Sequence, residues 1–325
     1  MSNKRVYLVT GATGFIGSRI MRRLIADGEE VHIIIRKGAK LWRIEGMLDR
    51  VTYHLSDLSD AGELTKIVDK VEPRFIYHLA TYGAYPYQNE PDKIIHTNIL
   101  GTWNLLKASA HIDYELFVNI GSSSEYGFKE LPMKESDLLE PASYYAVTKS
   151  SQTLLCFHIA REGKKPIVIL RPFSVYGPYE EPTRFIPTLM KALYFKQKMN
   201  LVSPKISRDH IYVEDVVDIC LMVDQLKKFA GEIFNVGTGI QSSIKDVVEA
   251  AIRVTGETAD FKWGAMKLRT WDTNNWVADI SKARQSLNWS PKVSLEKGIS
   301  LMWEWFKSNH SLYDLAGRQQ TGRIP

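Results

Sequence analysis

The chain has 325 residues, of which 44% are hydrophobic and 24% charged, and its 42 basic and 37 acidic side chains leave a net charge of +5. This composition excludes a disordered or fibrous chain and leaves room for one large domain or two smaller ones. The basic residues are scattered in pairs such as Lys164-Lys165 and Lys227-Lys228. Nucleic-acid binding needs a concentrated stripe and a membrane span needs an apolar run of ~18 residues, so neither a nucleic acid nor a membrane is expected as a partner.

Arg5–Thr10 reads as a first strand. Its basic-then-apolar start faintly resembles a secretory leader but is read as a strand, because a glycine turn follows where a small-residue cleavage site is expected. That turn is Gly11-Ala12-Thr13-Gly14-Phe15-Ile16-Gly17, opening a helical pattern over Phe15–Asp27. Strand, glycine turn and helix together predict a phosphate cradle for a dinucleotide. Gly11 permits the tight turn, Gly14 lets the backbone approach a pyrophosphate, and Gly17 lets the helix pack on the strand. The helix start directs free N–H groups and its positive dipole end at the phosphates. The second strand, Val31–Arg36, ends Ile35-Arg36-Lys37-Gly38 without an acid. Arg36 therefore favours NADP(H), whose 2′-phosphate it would pair bidentately. NAD(H), with Arg36 on the surface, is the alternative. After the third strand, Val51–Leu55, Asp57 reads either as an acceptor for the adenine amino group or as a helix cap.

The pattern continues with a helix over Asp60–Lys70, a strand over Phe75–Leu79, a helix over Pro91–Ala110 and a strand over Tyr114–Gly121. Ser122-Ser123-Ser124 follows, then a helix over Ser143–Glu162 and a strand over Pro166–Leu170. The helix carries Tyr145-Ala146-Val147-Thr148-Lys149, which stacks a phenol and an ammonium one turn apart. Val-Ile-Leu-rich strands separated by helical crossovers predict an α/β fold with a doubly wound, Rossmann-type parallel sheet covered on both faces. Beyond Arg171-Pro172 the pattern is irregular, with prolines at 178, 182, 187 and 204. Helices are expected over Arg184–Phe195 and Glu214–Lys227, a strand returning to the main sheet over Glu232–Val236, and helices over Ser243–Val254 and Leu295–Ser308. The expected organisation is a dinucleotide-binding domain of residues 1–172 plus about 211–238. A smaller interleaved α/β substrate lobe takes 173–210 plus 239–310, and a polar, mobile tail takes 311–325. Cys156 and Cys220 fall in apolar helical patterns and make neither a disulfide framework nor a zinc spacing. They fit the reducing cytoplasm, and no metal site is expected. His78 and His210 read as structural strand-end residues.

Together these motifs strongly resemble the extended short-chain dehydrogenase/reductases that modify nucleotide sugars. The resemblance runs from residue 5 to about 308. It rests on the glycine spacing, Asp57-Leu58, His78-Leu79-Ala80, Asn98 with Gly101-Thr102, Tyr145-x-x-x-Lys149, Leu170-Arg171-Pro172 with Tyr176-Gly177-Pro178, and Arg208-Asp209 with Val213-x-Asp215. The tail motifs Asp279-x-Ser281-Lys282-Ala283 and Leu287-x-Trp289-x-Pro291 complete it. The resemblance implies that Tyr145 is the acid/base at the reacting hydroxyl or carbonyl. Lys149 would hold the nicotinamide ribose and lower the phenol from ~10 toward ~7. Counting from Phe117 and back from Tyr126 puts Ser122 at the catalytic Ser/Thr position; a slip of one would exchange it with Ser123. Thr13, Phe15, Ile16, Leu58, Leu79, Ala80 and Pro172 complete the expected cofactor contacts. Thr81 would line both nicotinamide and substrate, and Asn98 would tie down the nearby backbone. Arg208, Arg269 and Asp272 would grip the nucleotide, and Ser124 and Ser174 the sugar, although Ser174 stands where many members carry asparagine. Trp263, Trp271 and Trp276 are read as packing residues.

Members that remove water carry an acid and a base directly after the catalytic Ser/Thr. Here those positions are Ser123 and Ser124, and Glu125 would point elsewhere on a strand, so 4,6-dehydration is disfavoured. The leading expectation is reduction of a 4-keto-sugar nucleotide. The alternative is a nucleotide-sugar 4-epimerase with tightly bound NAD(P)+. A non-catalytic dinucleotide sensor comes last, since both Tyr145 and Lys149 are present. The family typically pairs two long helices of each protomer, here Pro91–Ala110 and Ser143–Glu162, into a four-helix bundle. Leu105, Leu106, Leu154, Leu155 and Phe157 are compatible with such a homodimer.

Overall fold

The computed structural model describes residues 4–269 and 272–318, with side chains to Asp314. The strands are β1 (Val6–Thr10), β2 (Glu30–Ile35), β3 (Thr52–Leu55), β4 (Phe75–His78), β5 (Leu116–Ile120), β6 (Ile167–Pro172), β7 (Ser174–Tyr176), β8 (Met199–Asn200), β9 (Ser207–Tyr212), β10 (Ile233–Val236), β11 (Gln241–Ser243) and β12 (Phe261–Lys262). Seven of them form one sheet in the order β3-β2-β1-β4-β5-β6-β10, every neighbouring pair parallel. Strand order reverses between β1 and β4, which opens a crevice at their carboxyl ends. Two small sheets, β11-β9-β7 and β12-β8, stand apart from it.

The helices are α1 (Phe15–Ala26), α2 (Ala61–Val71), α3 (Pro91–Ile95), α4 (Gly101–Ala108), α5 (Tyr144–Glu162), α6 (Phe185–Phe195), α7 (Val213–Cys220), α8 (Val223–Leu226), α9 (Ile244–Thr255), α10 (Ser281–Leu287) and α11 (Leu295–Arg318). Alternation along β1 assigns the two faces of the sheet. Tyr7 and Val9 pack with Ile20 and Met21 of α1 and Val217 of α7, whereas Leu8 packs with Leu64 of α2, Leu105 of α4 and Cys156 of α5. A second core joins Leu189 of α6, Val247 of α9 and Phe306 of α11. Side-chain oxygens fix several helix starts: Asp60 accepts from Glu63 N (2.9 Å), and Ser143 from Ala146 N (3.1 Å).

Several expected boundaries are corrected. The helix expected over Pro91–Ala110 is α3, one π-helical turn over His96–Leu100, and α4, ending at Ala108. The one expected over Glu214–Lys227 breaks at Leu221-Met222 into α7 and α8. The final helix does not stop at Ser308 but runs to Arg318, held by Tyr313 against Trp42 and Trp305. The expected tail is thus helical to that point, and its residues 319–325 lie outside the described residues, as does Trp271. Leu105 and Leu106 are buried against the sheet, and of the five apolar residues named for a dimer only Leu154 is exposed. Both cysteines are buried and free. Among the described residues no helix is long and apolar enough to cross a membrane, and no three His, Cys, Asp or Glu side chains gather as metal ligands.

Candidate active site

The glycine turn is built by space. Gly11 has φ +72°, and a Cβ there would lie 2.6 Å from Ala80 N. A Cβ on Gly17 would lie 2.2 Å from Gly11 O. The turn is therefore wedged between Leu79-Ala80 after β4 and the first turn of α1, and neither glycine tolerates a side chain. Gly14 is less crowded but still tight, with Gly11 O 3.1 Å from its would-be Cβ. Gly14 caps α1 without a side-chain bond. With no side chain in the way, the first-turn N–H groups of Phe15, Ile16 and Gly17, beside Thr13, are left for an anion. This cradle fits a dinucleotide pyrophosphate.

Arg36 is exposed just past β2. Asp57 is not the cap of α2, a role Asp60 takes; its Oδ1 accepts from Ser59 N (2.9 Å) and Ser59 Oγ (2.8 Å). Leu58 is buried against Gly101, where a Cβ would meet it at 2.9 Å. Asn98, fully buried in the π-helical turn, accepts from Thr81 Oγ1 (3.1 Å) and Tyr82 N (2.8 Å). Its amide donates to Tyr82 O and Thr148 Oγ1, both at 2.8 Å. It thus ties the loop after β4 to α5. Pro172 is buried at the end of β6, paired with Val236 of β10.

The serine turn separates its three hydroxyls. Ser122 Oγ lies 2.7 Å from Ser124 Oγ and accepts from Ser124 N (3.2 Å). Ser122 is also near enough to the Tyr145 phenol to draw its pKa down. Ser123 is buried and accepts from Trp276 Nε1 at 3.1 Å, which commits it to packing. Sequence counting dismissed Glu125 because it assumed a strand. The chain instead coils into a 3-10 turn over Ser123–Tyr126, and Ser122 with Glu125 forms a capping box. Glu125 Oε1 accepts from Ser122 N (2.7 Å), and its Oε2 from Arg171 Nε (2.9 Å). Both charges are buried, and burial raises the carboxyl pKa against the pull of Arg171. The S-x-x-E spacing was the available signal for this residue.

Lys149 is 2% exposed; its Nζ donates to Ile120 O and Gln152 Oε1. Burial lowers the ammonium to about 8, and Glu125 acts upward on it. Burial pushes the Tyr145 phenol up to about 12, opposed by Ser122 and by the positive charge of Arg184. The expected fall toward neutrality is therefore not produced by the protein groups alone, because Lys149 is turned to the end of β5 and to α5.

Across the crevice, Arg208 Nη2 meets Asp272 Oδ1 at 3.3 Å, and Asp272 Oδ2 accepts from Arg269 N at 2.9 Å. Arg208 also lies 5.3 Å over the buried Trp276 ring. Burial and Arg269 both press its pKa down. Two cations and one carboxylate thus converge, a set suited to a diphosphate and a ribose. Trp263 is exposed. Ser174 opens β7 and pairs in register with His210 of β9. His210 stays neutral, pushed down to about 4 by burial. Sequence reading missed Arg43, which is 5% exposed. It donates to Tyr179 O (2.8 Å), Glu181 Oε2 (3.0 Å) and Thr13 O (3.4 Å), contacts more than a hundred residues apart in two of the three cases.

Comparison with known proteins places the chain in a family. The pattern of the NAD dependent epimerase/dehydratase family matches residues 7–237. A UDP-glucuronate 4-epimerase of Thermodesulfobacterium geofontis is 29% identical, over 94% of this chain and 97% of that one. A dTDP-D-glucose 4,6-dehydratase of Mus musculus is 27% identical, over 94% and 89%. A UDP-glucuronic acid 4-epimerase from Bacillus cereus, solved with UDP-glucuronic acid and NAD, superposes with a TM-score of 0.83 at 30% identity, over 93% of this chain and 99% of that one. With a glycine cradle, a Ser-Tyr-Lys cluster and a matching sheet order on one chain, this protein belongs to the NAD dependent epimerase/dehydratase family and is an enzyme of the extended short-chain dehydrogenase/reductase type.

Proposed function

We propose that the enzyme is a UDP-sugar 4-epimerase that keeps NAD(H) resident, in place of the 4-keto-sugar reductase expected first. The observation that carries this reading is the serine turn. Ser122 is the serine that acts on the Tyr145 phenol, while Ser123 is spent on Trp276 and Ser124 supports Ser122. The carboxyl in the turn, Glu125, is committed to Ser122 N and Arg171 Nε, and the two positions after Ser122 are serines, which argues against dehydration. The names of the similar proteins, epimerases and dehydratases, argue against a consumed reductant.

When bound, the nicotinamide would accept one hydride from the sugar and return it, and its positive charge would draw the phenol down from about 12. Tyr145 takes the proton from the C4 hydroxyl and gives it back to the same oxygen, while inversion would come from return of the hydride to the opposite face of C4. Ser122 donates a hydrogen bond to that oxygen. Lys149, with two N–H groups already committed, offers its third to the ribose. Gly11, Thr13, Gly14, Phe15, Ile16 and Gly17 cradle the pyrophosphate, Asp57 and Leu58 lie at the adenine end, and Leu79, Ala80, Thr81, Asn98 and Pro172 line the nicotinamide end. Arg36 is then a surface arginine beside NAD rather than a 2′-phosphate ligand. Arg208, Arg269 and Asp272 hold the UDP, and Ser124 and Ser174 the sugar. On this reading residues 1–172 with 211–238 form the NAD lobe, and 173–210 with 239–310 the substrate lobe. Exposed Leu100 of the π-helical turn and Trp103 of α4, with Tyr144, Val147 and Leu154 of α5, form the apolar face of a homodimer. Two free buried thiols suit the cytoplasm.

The test is to denature the purified protein, identify any released nucleotide by mass, and incubate the native protein with UDP-sugars. About one NAD per chain and interconversion of C4 epimers without net NADH formation are expected. An empty protein that consumes NADPH with a 4-keto-sugar nucleotide would restore the reductase.

A further inference from the structure

A chain of buried polar side chains runs beneath the catalytic pair, from β1 to α5. Ala80 N donates to Thr10 Oγ1 at 3.3 Å, and Thr10 Oγ1 lies 2.7 Å from His78 Nδ1. His78 Nε2 lies 2.8 Å from Thr102 Oγ1, to which Gln152 Nε2 also donates at 2.8 Å. Gln152 Oε1 then accepts from Lys149 Nζ. His78, Thr102 and Gln152 are fully buried, at 0% exposure.

Donor counting gives this chain one direction. The single O–H of Thr102 goes to Asn98 O at 2.6 Å. His78 must therefore donate from Nε2 and accept the Thr10 hydroxyl proton at Nδ1, so its ring is neutral in one tautomer. That agrees with burial pushing His78 down to about 3. The Thr102 oxygen now holds two incoming donors and is saturated. Gln152 can turn only its N–H toward Thr102, which forces its carbonyl oxygen toward Lys149. The amide orientation is thus set from the β1 side and not by the lysine.

We propose that Gln152 is the positioning residue of this site, presenting a fixed carbonyl oxygen that holds the Lys149 amine with one N–H free for the cofactor ribose. The groups that face Lys149 are Glu125 of the serine turn with its partner Arg171 of β6, Cys156 of α5 and the neutral His78 of β4. Loss of the Gln152 oxygen removes an acceptor that favours the charged amine. The amine then surrenders its proton at lower pH, and any activity that needs it charged declines at lower pH as well.

The inference rests on the epimerase reading only where turnover is measured. Gln152→Leu and Gln152→Glu are prepared as full-length, NAD-loaded protein with carbon-13-labelled lysine. The Lys149 signal, assigned with Lys149→Met, is followed against pH by NMR, and kcat and KM are measured for a UDP-sugar. Gln152→Leu is expected to move the Lys149 titration and the alkaline limb of kcat down by about one pH unit, with KM nearly unchanged. Gln152→Glu restores an acceptor and returns the titration to the wild-type value or above it. An unmoved titration in Gln152→Leu, or no recovery in Gln152→Glu, overturns the proposal. If Gln152→Leu does not fold, a titration in Gln152→Glu that falls below the wild-type value does the same. A shifted titration in a protein that epimerises no nucleotide sugar supports the role of Gln152 while the epimerase reading falls.

Discussion

Tyr145 and Ser122 carry the sharpest expectations. Tyr145→Phe deletes the proton carrier and should cost about 10²–10⁴ in kcat, while bound nucleotide and thermal midpoint stay near wild type. Survival of epimerisation in this variant would remove Tyr145 from the chemistry. Ser122→Ala should cost about 10²–10³ through lost stabilisation of the sugar oxygen. Ser123→Ala should cost less in kcat, since that hydroxyl serves Trp276. Sequence counting reached Ser122 and its doubt about Ser123 together. Only the 3-10 coil, which turns successive hydroxyls to different partners, separates them. His210 offers a test outside the catalytic cluster, because its Nε2 is buried without a hydrogen-bond partner among the described residues. Its pKa falls from 6.5 to about 4 in the fold, so unfolding takes up a proton between those values. The stability it carries is complete above pH 6.5 and is lost as pH falls through 4. His210→Phe should therefore leave the thermal midpoint almost unchanged at pH 8 and raise it relative to wild type at pH 5. Parallel pH curves for the two proteins would discard this account.

At the scale of elements, the buried Glu125–Arg171 pair joins the serine turn to β6. Arg171→Met should destabilise the protein by about 3–5 kcal/mol, because it strands a buried carboxylate. Adding Glu125→Gln should recover part of that loss, and denaturant titration of the two variants checks both statements. The inner strands of the main sheet were legible as apolar runs because they bury both faces, and the largely exposed edge strand β3 was legible from its place in the strand–helix alternation. The two- and three-residue strands β7, β8, β11 and β12 were not. So short a run has no periodicity, and its partners lie far along the chain, as with Gln241 opposite Asp209. The π-helical turn was equally hidden, since a single turn shifts the apolar register by only one residue. Its product is visible in Asn98, whose four hydrogen bonds join Thr81, Tyr82 and Thr148.

At the scale of the molecule, Arg43 ties the proposed substrate lobe to the glycine turn. Its guanidinium stacks 4.2 Å from the Trp42 ring while it bonds Thr13 O, Tyr179 O and Glu181. Arg22 adds a contact 4.1 Å over the Tyr179 ring. A dinucleotide seated on Gly14 lies next to this strap, so its departure should require the strap to open. An epimerase must keep the same cofactor through both half-reactions, whereas a reductase must release it at every turnover. Arg43→Ala should therefore lower the NAD retained through purification and speed its dissociation, with a loss of thermal midpoint because Glu181 is left largely buried without its cation. Arg43→Ala combined with Glu181→Gln separates the two effects: the midpoint should recover in part, and the fast dissociation should remain. If both variants hold about one NAD per chain and release it at the wild-type rate, Arg43 serves only to pack the lobes. Retention would then have to come from the cradle and from Lys149.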